Sequence, residues 1–371
     1  MWLACIPSLA ANQDALPLVP HLYGPGNVNV HDSTELSIWL DERYLSCGGG
    51  RDEATTPRLL PADAALSFVA RLVDDWVDEY FLYVLHHHRW IVSGSTTTAA
   101  SDVVDEFMPT PLTWLPGLRA AFVGFFSRRQ RRRLPYLFSS TYADADGNYA
   151  THALLEGSMI RLLEALERLL KKQRFLLAHA RVTGARSAAQ GAAGEPTCFS
   201  LADAAVAGNL LSCIRHDPDT ADIIRRYPEV MRYCERIRAG EHLAKGGGDA
   251  GVKDHSTSDR FDSALLAPLM GEVAATLLPL LRANADAYVE QFARGERVFN
   301  ERAWTQGRSM FVGTIKGQQY RCVVKTFQVK CYRDLQQRWR ALGVKDREFV
   351  LAFLPTKVAA NDFKTLLEAT G

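Results

Sequence analysis

The segment Val30-His-Asp-Ser-Thr-Glu-Leu-Ser-Ile-Trp-Leu-Asp-Glu-Arg-Tyr44 places polar side chains at a predicted helix start. The N-terminus of a helix presents N–H groups without intrahelical partners and the positive end of the helix dipole, and both favour a bound carboxylate. Ser33 adds a hydroxyl donor, and Asp32 is able to pair with an amino group of the same ligand. The same residues also suit an ordinary capped helix, so both interpretations stay open.

Other reactive side chains give weaker signals. The run His86-His-His88 does not favour a metal site, because adjacent helical residues point about 100° apart and do not easily share one ligand geometry. The seven cysteines are scattered, without a CxxC pair or a Cys/His spacing typical of zinc. Neither a glycine-rich phosphate loop nor a Gly-x-Ser-x-Gly motif occurs. We therefore expect no metal and reduced thiols in a cytoplasmic protein.

Charge and composition exclude further classes. The 371 residues are 47% hydrophobic, which predicts two or three globular domains. The net charge of +1 provides no global field that would attract nucleic acid. The run Ser127-Arg-Arg-Gln-Arg-Arg-Arg133 suits either an acidic surface, a nuclear signal or a solvated helix end, and the neutral overall charge favours the last.

Two apolar stretches bear on membranes and export. Residues 1–11 lack basic side chains and contain Pro7, so no secretory signal is expected there. Residues 264–281 carry Glu272 and two prolines, which favours a buried amphipathic helix over a membrane span.

Glycine-rich and polar stretches divide the chain into five segments. The stretch Cys47-Gly-Gly-Gly-Arg-Asp-Glu-Ala-Thr-Thr-Pro57 reads as a linker. The resulting boundaries are a first segment 1–46, a linker 47–60, a helical domain 61–242, a flexible linker 243–260 and a mostly helical block 261–371.

Apolar spacing predicts the elements of the helical domain. Residues 61–90 follow a helical period, with Pro61 suited to the first turn. Residues 151–174 form a second amphipathic helix, with Glu167 and Lys171 as a surface pair four residues apart. The residues expected on its inner face are Leu155, Met159, Leu162, Leu163, Leu166 and Leu170.

The last block has its own predicted order. A helix over about 264–291 precedes a hairpin near 309–324 and a helix over 325–342. The residues of this last helix expected to point inward are Phe327, Cys331, Leu335, Trp339 and Leu342.

The segment Phe199-Ser-Leu-Ala-Asp-Ala-Ala-Val-Ala-Gly208 predicts a capped helix start. Ser200 and Asp203 have the spacing of a capping box, in which a hydroxyl and a carboxylate satisfy free N–H groups. A leucine-rich helix precedes this segment, and His216-Asp-Pro218 and Tyr227-Pro-Glu-Val230 follow it.

That order resembles the C-terminal domain of the glutathione-transferase superfamily over about residues 61–240. The resemblance implies a mainly α fold, in which the all-α bundle follows a partial thioredoxin-like α/β segment. It also implies that Ser200 and Asp203 serve folding, and that Trp76, Tyr80 and Tyr83 line the mouth of the substrate cleft, although such residues are more often core. The last block is similar to a helical extension that some larger members of the superfamily carry.

The first segment resembles the same superfamily. Cys5-Ile-Pro-Ser-Leu9 is similar to a strand entered through a cis-proline, so Ile6 and Pro7 would contact the cysteinyl part of glutathione. Asp32 and Ser33 would hold its glutamyl end. The link between Pro7 and the helix at Ser33 is longer than in the family.

No catalytic residue is assigned. In the family, the activating Tyr, Ser or Cys lies in a strand–helix–strand unit before the cis-proline, and only six residues precede Pro7 here. We expect the sequence to start late relative to the family.

Two functions are consistent with these residues. One is a glutathione-dependent transferase or thiol reductase, with glutathione as cosubstrate and a homodimer as the family implies. The alternative is a non-catalytic, metaxin-like scaffold that binds a protein partner through the bundle or the extension.

Overall fold

The computed structural model has a mainly α fold, as the sequence predicts. It describes residues 21–24, 28–47, 59–61, 63–108, 115, 117–138, 150–177, 199–241 and 263–369. The predicted glutathione contacts at Ile6 and Pro7, most of the linker 47–60 and the linker 243–260 lie outside these residues.

A small hairpin leads directly into the first helix. Strand β1 (His21–Gly24) pairs antiparallel with β2 (Val28–His31), with Leu22 opposite Val30. Helix α1 (Ser33–Cys47) begins two residues after β2, where the sequence predicts a helix start. The helices of the bundle follow as α2 (Ala64–Trp76), α3 (Leu82–His87), α4 (Ala99–Phe107), α5 (Leu118–Leu137), α6 (Ala150–Leu170), α7 (Leu201–His216), α8 (Pro218–Ile224) and α9 (Pro228–Arg238).

The predicted helix over 61–90 is confirmed as one long helical segment, interrupted by two wider turns. Val77–Phe81 and His88–Val92 are π-helical turns that flank α3. The segment begins at Asp63, whose carboxylate accepts hydrogen bonds from the N–H groups of Ala65 and Leu66. The prediction that Pro61 occupies the first turn is therefore wrong, because the N-cap follows it.

Helix α6 confirms the second predicted helix and its buried face. Glu167 and Lys171 do form an ion pair, at 3.6 Å, but Glu167 is only 12% exposed. Its second carboxylate oxygen accepts hydrogen bonds from the N–H groups of Glu229 and Val230, at 2.9 and 3.3 Å. The prediction of a surface pair is thus wrong for Glu167, which caps the start of α9.

The predicted capping box is present at the start of α7. Asp203 is fully buried, and its Oδ2 accepts hydrogen bonds from the N–H and the hydroxyl of Ser200 at 3.0 and 2.8 Å. Its Oδ1 accepts from the N–H of Leu176 and the hydroxyl of Tyr233, at 2.8 and 3.1 Å. One carboxylate therefore ties the end of the α6 region to both α7 and α9, the folding role that the resemblance implies.

The last block completes the bundle. Its elements are α10 (Ser263–Ala293), α11 (Glu301–Thr305), β3 (Met310–Ile315), β4 (Gln318–Val323), α12 (Thr326–Ala341), α13 (Val344–Leu351) and α14 (Lys357–Glu368). The hairpin β3–β4 is antiparallel, as predicted. Buried residues from α2 to α14 belong to one hydrophobic core, so the bundle and the last block pack as a unit.

Helix α10 runs through this core. It is long and apolar enough to cross a membrane by length and composition, and 61% of its most apolar window is buried inside the protein. Asn284 is fully buried and exchanges hydrogen bonds of 2.9 Å with the backbone of Lys325, which fixes the start of α12 against α10. In α12 the predicted inward positions are buried except Phe327, which is half-exposed while Gln328 beside it is buried.

Candidate functional site

The turn between β2 and α1 is shaped by Asp32. Its φ is 83°, in the left-handed region that Asp tolerates better than most residues. Its Oδ1 accepts a hydrogen bond from the N–H of Thr34 at 2.9 Å, and its carbonyl accepts from Leu36 at 3.0 Å. Asp32 thus caps α1, as the ordinary-helix interpretation of the sequence expects, and leaves Ser33 exposed at the first position of the helix.

Helix α2 brings a second carboxylate to this helix start. The hydroxyl of Thr34 donates a hydrogen bond to Oδ2 of Asp74 at 2.7 Å. Asp74 is 5% exposed, so burial raises its pKa to about 8, and the neighbouring carboxylate of Asp78 adds to the rise. The start of α1 therefore lies against the buried carboxylate of Asp74, whose negative charge is not fully offset by nearby positive groups.

Further acidic side chains continue along α2 and the π turn. Asp75 accepts a hydrogen bond from Arg338 of α12 at 3.0 Å, yet burial raises its pKa to about 6. Asp78 and Glu79 lie in the π turn Val77–Phe81. Burial also raises the pKa of Glu79, against the lowering effect of Lys325. π turns inserted into α-helices often occur at functional sites. This one carries Asp78 and Glu79, two of the four acidic residues between positions 74 and 79.

The two halves of this site have complementary chemistry. The first turn of α1, with the Ser33 hydroxyl, suits a carboxylate. The carboxylates of Asp32, Asp74 and Asp78 suit a cationic group, and a positive charge would lower the cost of ionising Asp74 and Asp78, whose pKa values burial raises. A zwitterionic α-amino acid group, with one charge of each sign on adjacent atoms, fits this arrangement.

The three aromatic residues predicted at a substrate cleft lie in the core. Trp76 and Tyr80 are 0% exposed and Tyr83 is 2% exposed. Trp76 donates a hydrogen bond to Thr276 of α10 at 2.9 Å, and Tyr83 accepts one from Gln328 of α12 at 3.0 Å. The polar atoms of Trp76 and Tyr83 thus contact the last block, and the burial of all three residues favours the core interpretation over contact with a substrate.

Tyr80 belongs to a buried polar network. Its hydroxyl lies 2.8 Å from that of Ser158, which donates to Glu272 at 2.8 Å. Arg161 donates to Glu272 from both Nε and Nη2, at 2.7 and 2.9 Å, and Lys316 also pairs with it. Burial alone would raise the pKa of Glu272, but the hydrogen bonds from Arg161 and Lys316 outweigh it and hold the pKa below its usual value.

The histidine run has separate partners for each ring. His87 donates to Glu156 at 3.0 Å, whereas His86 donates to the carbonyl of Leu82 at 2.9 Å. Burial lowers the pKa of His86 to about 4 and that of His88 to about 3. In the described part of the chain, no three His, Cys, Asp or Glu side chains come together as metal ligands.

The described cysteine side chains are buried. Cys213, Cys234, Cys322 and Cys331 form no disulfide with one another, and burial raises the pKa of each thiol. Because the thiolate is the reactive form, these four residues suit packing rather than nucleophilic attack.

Sequence reasoning identified Asp32 and Ser33 but missed Asp74 and Asp75. The signal was present in the segment Asp74-Asp-Trp-Val-Asp-Glu79, where four acidic residues interrupt an otherwise apolar helix. Charged residues on the buried face of a helix require partners, so this segment marks either an ion-pair network or a site.

No protein-family model, curated protein or solved structure matches the chain. The function of the site is therefore inferred from its residues and from the resemblance in the sequence.

Proposed function

We propose that the chain is a glutathione-transferase-like protein that binds glutathione at the start of α1. In this proposal the hairpin β1–β2 and helix α1 are the second half of a thioredoxin-like domain, and the helices from α2 onward are the all-α domain. The order of hairpin, helix and bundle supports it, as does the capping box that ties α6, α7 and α9 together.

The hydrogen bond between Thr34 and Asp74 is the observation that carries the proposal. It holds the start of α1 against the acidic segment of α2, so a carboxylate site and an ammonium site adjoin. The glutamyl end of glutathione carries both groups on one carbon. Its carboxylate would accept hydrogen bonds from the Ser33 hydroxyl and the first-turn N–H groups, and its ammonium would face Asp32 and Asp78.

The proposed contact for the cysteinyl part of glutathione stays at Ile6 and Pro7, as the resemblance implies. Both residues lie outside the described residues, so this contact remains a prediction.

Among the described residues, none is assigned as the activating Tyr, Ser or Cys. Binding is accordingly the function proposed, and a transferase or thiol-reductase step has no assigned residue.

A metaxin-like scaffold without catalysis is the second candidate. The observation that favours it is the burial of Trp76, Tyr80 and Tyr83 beneath α10 and α12, where a transferase would open a cleft for its second substrate. A scaffold would bind a protein partner and have no affinity for glutathione.

Retention on glutathione-agarose and calorimetry with glutathione test the proposal. We expect the chain to bind, and Ser33→Ala to weaken binding at least tenfold, because a hydrogen bond to a charged group contributes about 1.5–3 kcal/mol. Ser37→Ala, one turn further along α1, is the matched control and should bind like the unmodified chain. Absence of binding by the unmodified chain would contradict the proposal and leave the scaffold as the better function.

A further inference from the structure

Helix α5 exposes a face that the bundle does not use. Phe125 is 65% exposed and Phe122 is 44% exposed. Both exposed fractions are well above those of aromatic side chains in a hydrophobic core. One turn further along the same helix, Arg128, Arg131 and Arg132 are exposed. By helical spacing Phe125, Arg128 and Arg132 share one side of the helix, with Phe122 and Arg131 at the two edges of this exposed face.

The packing of α5 depends on other residues. Phe126 contacts Trp90 on the inner side, with 6.2 Å between ring centres. Arg119 forms a bidentate ion pair with Asp105 of α4, with both N–O distances 2.6 Å. Phe125 is thus mostly exposed to solvent, and Phe122 is partly exposed.

The basic part of this face is organised as an open depression. It has a volume of about 490 Å³ and is lined by Gly124, Ser127, Arg128, Arg131 and Arg132. Within the residues that the structure describes, Arg128, Arg131 and Arg132 form no ion pair with an acidic side chain. Three guanidinium groups around one depression, with a hydroxyl beside them, suit phosphate oxygens.

We propose that this face of α5 binds the surface of an anionic phospholipid bilayer. The arginines would pair with lipid phosphates, while Phe122 and Phe125 would enter the boundary between head groups and acyl chains, the arrangement of an interfacial helix. Double-stranded nucleic acid would account for the arginines but not for the exposed aromatic rings, whereas a single strand would also stack bases on the rings and is therefore a separate outcome of the test below. Because the net charge of the chain is +1, attraction to the bilayer is local to this helix.

Vesicle flotation tests the proposal with two lipid compositions. We expect the full chain to float with vesicles of phosphatidylcholine and phosphatidylserine at about 7:3 and to remain unbound with phosphatidylcholine alone. The triple variant Arg128→Gln, Arg131→Gln, Arg132→Gln should lose roughly 100-fold in partitioning, since each basic residue near an anionic surface contributes about 1 kcal/mol. Raising the salt concentration should weaken the binding of the unmodified chain.

A matched control removes the same charge elsewhere. Arg321, Arg333 and Arg340 are exposed on β4 and α12, and their replacement by Gln should leave vesicle binding unchanged. Equal losses in the two triple variants would overturn the proposal, because net charge alone would then explain binding.

A double variant separates insertion from charge. Phe122→Ala with Phe125→Ala should lower vesicle binding at least tenfold while the arginines remain, because apolar burial of each ring contributes more than 1 kcal/mol. Full binding by this variant, or binding to single-stranded RNA but not to vesicles, would overturn the proposal; the latter would assign the face to nucleic acid. Circular dichroism of each variant checks that the helices remain intact.

Discussion

Two buried carboxylates, Glu272 and Asp74, differ in how their charge is balanced. The side chain of Glu272 is 2% exposed and receives hydrogen bonds from Arg161, Lys316 and Ser158. Asp74 is similarly buried but receives a hydrogen bond from the neutral Thr34 hydroxyl and lies near further carboxylates. The pKa of Glu272 is consequently lowered, whereas that of Asp74 is raised to about 8.

The difference separates a structural network from a candidate site. A buried carboxylate with cationic partners is held by the fold, and removing it leaves those partners unmatched. A buried carboxylate without sufficient positive charge costs stability when it ionises, and such costs concentrate where a ligand supplies the missing charge. Glu272 and Asp74 should therefore respond in opposite directions to loss of charge.

Glu272→Ala is expected to cause the largest loss of stability. It leaves Arg161 and Lys316 close together and removes the acceptor of the Ser158 hydroxyl. The free energy of unfolding should fall by about 3 kcal/mol, the lower end of the range for broken buried pairs because both cations reach solvent. Urea denaturation measures the change.

Glu164→Ala is the control for this prediction. Glu164 lies on α6 with an exposed side chain. Its replacement should change the stability by less than about 0.5 kcal/mol. If the two variants lose the same stability, Glu272 does not anchor the network.

Asp74→Asn should be stabilising at neutral and alkaline pH. Asp in an unfolded chain has a pKa of about 3.9, below the folded value, so the native state binds the proton more tightly. Ionisation of Asp74 therefore costs stability as the pH rises from about 4 to about 8. Asn keeps an oxygen for the Thr34 hydroxyl and does not ionise, so the variant should gain stability at pH 8 and nothing near pH 4; the difference of about four between the two pKa values sets an upper bound of about 5 kcal/mol on the gain.

Urea unfolding at several pH values measures this gain. Asp362→Asn, at an exposed position of α14, provides a control with the same change in charge. If Asp74→Asn is no more stable than the unmodified chain at pH 8, then nearby positive charges already stabilise the ionised carboxylate of Asp74 in the folded state. The contrast with Glu272 would then disappear.

Much of this helical fold could be predicted because its apolar residues follow a helical period. The helices at 61–90 and 151–174, the hairpin near 309–324 and the Ser200–Asp203 capping box are all present. Local patterns failed where distant elements decide the outcome. Glu167 and Lys171 have the spacing of a surface pair, but α9 packs against Glu167 and buries it.

The candidate site shows the same limit. Asp32 and Ser33 were predicted because a helix start has a local signature. Asp74 meets Thr34 across 40 residues of chain, a contact that no local pattern reveals. The π turn that carries Asp78 and Glu79 is equally hidden, since one extra residue per turn leaves the apolar spacing almost unchanged. The sequence therefore predicts the start of α1 but not the acidic surface beside it.

Glu290→Gln is expected to have the smallest effect of the charge removals. Glu290 and Arg294 form an ion pair four residues apart on α10, with side chains 60% and 72% exposed. Water already solvates both charges, so the pair contributes less than about 0.5 kcal/mol, and salt weakens it further. Urea unfolding of the variant in low and high salt should give nearly the same stability as the unmodified chain. A loss comparable to that of Glu272→Ala would mean that burial does not govern the energy of these ion pairs, and the distinction between Glu272 and Asp74 would lose its physical basis.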